Sequence, residues 1–125
     1  SEMSGVAAVV VNTSIPVESI SALVEKVAVP VCVTACTADD VVRRQIAAGA
    51  SIVNVAAGSR TPQVVEALRR EYPDLPIIAT GGPTDDAIRA TIAAGADAVS
   101  WTPPAIADLE REVMEKARRL AAELL

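Results

Sequence analysis

Short apolar runs alternate with longer segments whose apolar residues recur at helical spacing, and the alternation occurs five times. Val6–Asn12, Val31–Cys36, Ile52–Ala56, Ile77–Thr80 and Ala98–Trp101 are Val/Ile/Ala-rich and of strand length. Each is followed by helix punctuation. Pro16 suits the first turn of a helix reaching about Val27. Asp39–Ala48 stops at Gly49, a natural left-handed terminator. Thr61 caps a helix with Pro62 in its first turn that ends near Tyr72, before Pro73. Thr84 caps a helix that ends at Gly95. A last helix starts near Pro104 with the stripe Ile106, Leu109, Val113, Ala117, Leu120 and Leu124. Strands alternating with helices predict a parallel α/β sheet of five βα units, residues 1–125 forming a single domain.

The same pattern is duplicated. Residues 38–53 align with residues 84–99 at an offset of 46: Asp39 with Asp85, Asp40 with Asp86, Arg43 with Arg89, Ile46 with Ile92 and Gly49 with Gly95. Further back, Pro30 meets Pro76 and Thr34 meets Thr80. The repeat spans two strand–helix units.

Within the strands a second period separates two faces. Val9 and Val11, Val31 and Val33, Val53 and Val55, Ile77 and Ala79, and Val99 and Trp101 suit packing under helices. The opposite parity places one polar residue near each strand end: Asn12, Thr34, Asn54, Thr80 and Ser100. In a sheet covered on both faces these five lie beneath helices and need partners. In a barrel they face the axis, where they satisfy one another or meet a ligand. The expectation is barrel curvature with this layer at one level; the alternative is a flavodoxin-like open five-stranded sheet.

Leu75-Pro76-Ile77-Ile78-Ala79-Thr80-Gly81-Gly82-Pro83-Thr84-Asp85-Asp86, followed by Ala94-Gly95-Ala96-Asp97-Ala98-Val99, resembles the seventh and eighth strands of phosphate-binding TIM barrels. That superfamily includes keto-deoxy-phosphogluconate aldolase, thiamine-phosphate synthase and the FMN-dependent IMP dehydrogenase and nitronate monooxygenase groups. Residues 6–120 look most like the C-terminal part of a poorly characterised bacterial barrel family with an "ATGGPT…AGA…TPP" pattern and an automatic hydrolase label. The resemblance implies that the five strands are strands four to eight of a longer barrel, the first part being supplied elsewhere. It also implies a phosphate held by the loop at Gly81 and Gly82. The family's second phosphate glycine is replaced here by Trp101-Thr102-Pro103-Pro104, and proline has no N–H to donate.

Composition narrows the functional classes. The 125 residues carry a net charge of −5, which disfavours nucleic acid as a partner. No apolar run approaches the ~20 residues of a membrane span, and no leader pattern opens the chain, so the cytoplasm is the expected compartment. There is no histidine, which removes Cys–His pairs and the commonest nitrogen ligand of zinc. Cys32 and Cys36 stand ~13 Å apart along a strand, too far for a disulfide, and read as small buried hydrophobes with Cys36 the better candidate for a reactive thiol.

In a parallel barrel the ligand meets the loops after the strands' C-terminal ends. These contain Thr13 and Ser14, Thr37, Ala57-Gly58-Ser59-Arg60, Gly81-Gly82-Pro83, and Thr102-Pro103-Pro104. Gly81 and Gly82 allow close approach to backbone N–H groups, and Arg60 with Gly58 and Ser59 is suited to clamping a carboxylate or phosphate. The candidate ligand-binding set is therefore Gly58, Ser59, Arg60, Thr80, Gly81, Gly82, Asn54 and Ser100, with no metal and no cofactor implied. Asp39, Asp40, Asp85 and Asp86 are explained by capping and the helix dipole, and Arg43 and Arg89 by surface ion pairs. Lys26 and Lys116 both fall on helices, which disfavours a Schiff-base aldolase. Trp101 is expected to pack under a helix. Two readings stand: part of an enzyme acting on a small anionic or phosphorylated metabolite, or a catalytically silent ligand-binding or scaffold domain. Either one leaves open strand edges, so self-association or a missing N-terminal half-barrel is the expected partner.

Overall fold

A computed structural model describes residues 5–11, 15–101 and 105–124. Asn12, Thr13, Ser14, Thr102, Pro103 and Pro104, each named above, lie outside the described residues. The elements are β1 (Val9–Val11), α1 (Val17–Lys26), β2 (Val31–Ala35), α2 (Asp40–Ala47), β3 (Ile52–Val55), a 3-10 turn (Gly58–Arg60), α3 (Thr61–Glu71), β4 (Ile77–Thr80), α4 (Asp85–Ala93), β5 (Ala98–Ser100) and α5 (Ile106–Leu124). The sheet is parallel and its order is consecutive, β1-β2-β3-β4-β5. It is open, as a flavodoxin-like sheet is. Its strand order is that of a barrel segment, since a flavodoxin-like sheet places its second strand outside the first.

Burial follows the two-residue period. Val11, Val33, Val53, Val55, Ile77 and Ala79 are buried beneath Ile20 of α1, Val42 of α2 and Val64, Val65 and Leu68 of α3. Burying a side chain of this size contributes about 1.5–3 kcal/mol. The other parity is mostly open: Val10 is 63% exposed and Ile78 36%, and Thr34, Asn54 and Thr80 are half-buried, with Cys32 at 1% the exception. All the packed helices therefore lie on one face and the other is bare, which is how an incomplete barrel wall differs from a doubly wound sheet.

On the bare face the polar residues form two layers, not one level. Thr34 is in register with Asn54, Asn54 with Ile78, and Thr80 with Ser100. Thr34 to Thr80 is a step of two strands and two residues, and Asn54 to Ser100 is the same step. This stagger of one residue per strand is the shear of an eight-stranded barrel, whose layers are contributed by alternate strands. The step also coincides with the 46-residue repeat, as expected if the repeat is a rotation about the barrel axis.

The local signals are mostly realised. Asp39 caps α2, accepting from the N–H groups of Val41 and Val42, and Thr84 caps α4 by accepting from Ala87. The caps differ by one position between repeats because Ala38, the counterpart of Thr84, has no side-chain oxygen. Gly49 and Gly95 follow the two helices with φ of 116° and 110°. Arg43 pairs with Asp40 and Glu71, and Arg89 with Asp86.

Three further expectations are overturned. Trp101 is 61% exposed, and no residue of α5 is buried, so its stripe from Ile106 to Leu124 packs on nothing. Both follow from one cause: among the described residues α5 has no substantial packed interface with another element. Cys32 is buried as expected, but Cys36 is exposed, because β2 ends at Ala35.

Arg69 joins the opposite ends of the strands. Its guanidinium donates to the carbonyls of Pro73, Leu75 and Gly95 and to the Asp97 carboxylate, which also accepts from the Ile77 N–H. One side chain thereby ties the end of α3, the approach to β4 and the approach to β5. The Ile77 N–H and then Arg69 hold the Asp97 carboxyl below its usual pKa. A carboxyl lowered in the folded state contributes stability above the unfolded value of about 3.9 and loses it as pH falls through the folded value. In urea denaturation, Asp97→Asn is expected to be destabilised at pH 7, and the gap to the parent protein is expected to narrow as pH falls below about 3.9 toward the folded value. Arg69→Met, which removes several charge-assisted bonds, is expected to cost about 2–3 kcal/mol.

Candidate functional site

The loops at the C-terminal ends of β3 and β4 meet in one cavity. It has a volume of about 420 Å³ and is lined by Gly58, Ser59, Thr80, Gly81, Gly82, Pro83 and Ala87. Five of the eight residues expected to bind ligand are in this wall. Asn54 and Ser100 are not; they stand on the bare face below it, where the Ser100 hydroxyl donates to the Ala79 carbonyl at 3.4 Å. Arg60 is exposed at the end of the 3-10 turn, outside the cavity wall, and its guanidinium makes no hydrogen bond or ion pair with another described residue.

The geometry of the wall comes from backbone constraints. The Ala57 N–H donates to the Thr61 hydroxyl, and the Arg60 N–H to the Ala57 carbonyl, which closes the turn. Gly58 adopts φ 60° with open space where a Cβ would stand, and Gly82 adopts φ 77°. Both conformations favour glycine. The N–H groups of Gly58, Ser59 and Gly82 have no hydrogen-bond partner among the described residues, whereas that of Gly81 is engaged by the Ser100 carbonyl. Unengaged N–H groups around a concave space are the raw material of an anion site. The acids of α4 do not intrude: Asp85 and Asp86 are exposed and absent from the wall.

Gly81 has a different role from its neighbour. A Cβ there would collide with Cγ1 of Val99 and come within 3.0 Å of Cγ1 of Ile88. Its φ is ordinary, so the constraint is close packing of α4 onto β5 rather than turn geometry.

A second cavity, about 270 Å³, lies at the end of β2 and is lined by Thr34, Ala35, Cys36, Thr37, Asp39, Val41, Val42 and Gln45. Asp39 accepts from the Thr37 hydroxyl as well as from the helix N–H groups, and these bonds hold its carboxyl below the usual range. Gln45, which sequence reasoning passed over, is 1% exposed, and its Nε2 has no hydrogen-bond partner. Among the described residues no group of three or more His, Cys, Asp or Glu side chains converges as a metal site, and no helix is long and apolar enough to cross a membrane. Cys32 and Cys36 are both free, and burial raises the Cys32 thiol pKa, opposed in part by the Asn54 backbone.

Solved structures share this architecture. The native structure of KDPGal, an aldolase of the TIM-barrel type, matches with a TM-score of 0.62 and 25% identity over 78% of this chain and 47% of its own. A cube-shaped porous protein cage, designed by fusing symmetric oligomeric domains, matches with a TM-score of 0.63 and 21% identity over 98% of this chain and 54% of its own. The chain thus spans about half the length of either structure. No family model and no curated protein matches it, so the hydrolase expectation has no comparison behind it. The fold is that of a partial TIM barrel.

Gly81→Ala is expected to lower stability by about 1–3 kcal/mol through overpacking against Val99 and Ile88. Gly82→Ala has only Ala87 at 3.6 Å to meet, and its cost comes from φ alone, about 1 kcal/mol. Denaturant midpoints of the two variants check the order.

Proposed function

We propose that the chain supplies five of the eight βα units of a TIM-barrel enzyme and binds the anionic group of a small, often phosphorylated, metabolite at the loops after β3 and β4. The observation that carries this reading is the shared cavity of Gly58, Ser59, Thr80, Gly81 and Gly82, formed by two loops that each carry N–H groups without a partner among the described residues. Match to an aldolase barrel supports the enzyme class in general terms. Three further strands, from the rest of a longer chain or from a second chain, complete the wall, and the reacting acid, base or nucleophile comes from them. This chain has no histidine, and Lys26 and Lys116 stand on helices.

A non-catalytic ligand-binding domain is the second reading. It uses the same cavity and is favoured by the lack of a histidine or lysine at the described strand ends. Turnover by the completed barrel separates the two.

Binding is tested by melting temperature in sulfate or phosphate against chloride at equal ionic strength. At ten times Kd an anion stabilises by about 1.4 kcal/mol, a rise of several degrees. Sulfate also stabilises proteins by exclusion from their surface, so the variants decide. Ser59→Glu places a negative charge in the wall and is expected to remove the specific rise. Arg60→Ala is expected to reduce it without removing it. An equal rise in all three proteins would place the anion elsewhere.

A further inference from the structure

Each of α1 to α4 buries at least one side chain, whereas every one of the 19 residues of α5 is exposed. The helix nevertheless carries an ordered apolar stripe. Ile106 and Ala117, Leu109 and Leu120, and Val113 and Leu124 stand eleven residues apart. Eleven residues make three turns of an almost straight helix, so the stripe stays on one side of α5 along its whole length, roughly 28 Å at 1.5 Å per residue.

The charges of α5 are polarised beyond what the helix dipole accounts for. Residues 106–115 hold Asp108, Glu110, Glu112 and Glu115 against Arg111, and residues 116–124 hold Lys116, Arg118 and Arg119 against Glu123. The dipole acts within the first and last turns, and the last turn of α5 has no basic residue. Nor do these charges neutralise one another along the helix. Glu112 and Lys116, and Glu115 and Arg119, have the spacing of helix ion pairs. Among the described residues, however, the one ion pair within α5 joins Asp108 to Arg111.

We propose that α5 pairs antiparallel with α5 of a second copy of this chain, centred on Glu115. In that arrangement Ile106 meets Leu124, Leu109 meets Leu120 and Val113 meets Ala117, each contact being made twice, as a two-fold interface requires. At 3.6 residues per turn Glu112, Lys116 and Arg119 border one edge of the stripe, and Glu110 and Arg118 the other. A two-fold antiparallel pair brings like edges together, so Glu112 lies beside the second copy's Lys116 and Arg119, and Glu110 beside its Arg118. A parallel pair sets acidic half against acidic half and basic against basic, which is repulsive. The stripe thus supplies adhesion, and the charges supply direction and partner choice. A membrane surface is disfavoured as the occupant, because interfacial helices carry a polar face rich in Lys and Arg and α5 holds five acids to four bases. This contact stands independently of the anion site.

Sedimentation equilibrium of the parent chain at micromolar concentration is expected to give a two-chain mass. Val113→Asp combined with Leu120→Asp is expected to give a one-chain mass while the 15N–1H signals of β1 to β5 stay as in the parent, since the stripe packs on nothing within its own chain. Charge reversal tests the pairing without touching the stripe. One chain carries Glu110→Lys and Glu112→Lys, the other Lys116→Glu and Arg118→Glu. Each alone is expected to raise the dimer Kd by at least about tenfold, and an equimolar mixture is expected to recover the two-chain mass. In a Cys36→Ser background, a chain with Ala107→Cys is expected to cross-link to a chain with Ala121→Cys and not to its own kind. A one-chain mass for the parent would overturn the proposal. Association that survives Val113→Asp with Leu120→Asp would place the contact at the strand edges or the bare face and overturn it too. So would failure of the charge-reversed mixture to recover, and cross-linking of Ala107→Cys chains to each other would overturn the antiparallel order.

Discussion

Every packed helix lies on the same face of the sheet, and the rest of the structure follows from that. A parallel strand needs a crossover, and right-handed crossovers made in one direction stack their helices on one side and leave the other bare. Hence Val33, Val53 and Ala79 are buried while Val10 and Ile78, facing the other way, meet solvent. Hence also every loop that follows a strand gathers at one rim, and every loop that precedes a strand at the other. The rim after the strands carries the two cavities. The rim before them carries the Arg69 hub, which joins three chain segments through carbonyls no sheet bond uses. Function and fastening are placed at opposite ends by the same winding.

The 46-residue repeat adds a second constraint. Because the repeat is also the register step from Thr34 to Thr80 and from Asn54 to Ser100, a change in one copy has a built-in comparison in the other. The helix stops at Gly49 and Gly95 are conserved between the copies in identity and in φ. The rims are not. Gly81 is held by Val99 and Ile88, so packing forbids a side chain there. Its counterpart Ala35 tolerates a Cβ while remaining 1% exposed. One backbone plan therefore carries two pockets of different polarity, and the divergence is confined to positions that the sheet and the helix stops do not need.

What the sequence made legible is what local rules control. Strand parity, the caps at Asp39 and Thr84, the turn at Gly58 and the meeting of Gly58 and Ser59 with Gly81 and Gly82 all follow from period, side-chain oxygens and strand-end placement. The misses are tertiary. Trp101 and the stripe of α5 carry the right spacing for burial, but spacing cannot say whether a surface exists to receive them. Arg69 reads as one more arginine in a helix's last turn; its value comes from Gly95 and Asp97, more than twenty residues away. Gln45 escaped for the opposite reason. A glutamine among Arg and Ala residues looks solvated, and the one available signal was its alignment with Thr91 on the sheet-facing side of the duplicated helix.

The bare face itself argues for what must lie against it. Its layers are graded: Cys32 with Ile78 and Ile52 with Ala98 lie toward the strand starts, and Thr34 with Thr80 and Asn54 with Ser100 lie above them toward the strand ends. An apolar floor beneath a polar rim is the profile of a barrel interior, filled by side chains below and open to ligand above. A second sheet laid flat across this face would bury Thr34, Asn54 and Thr80 without giving them partners, at a cost that apolar contact below would have to offset. Closure of the wall by further strands instead turns those residues toward one another and toward the ligand, and it covers the edges of β1 and β5 in the same step. A stagger of one residue per strand suits eight strands. On our proposal, then, the exposed Val10 and Trp101 are not independent oddities but parts of one uncovered seam, at which the three missing units meet the five present here.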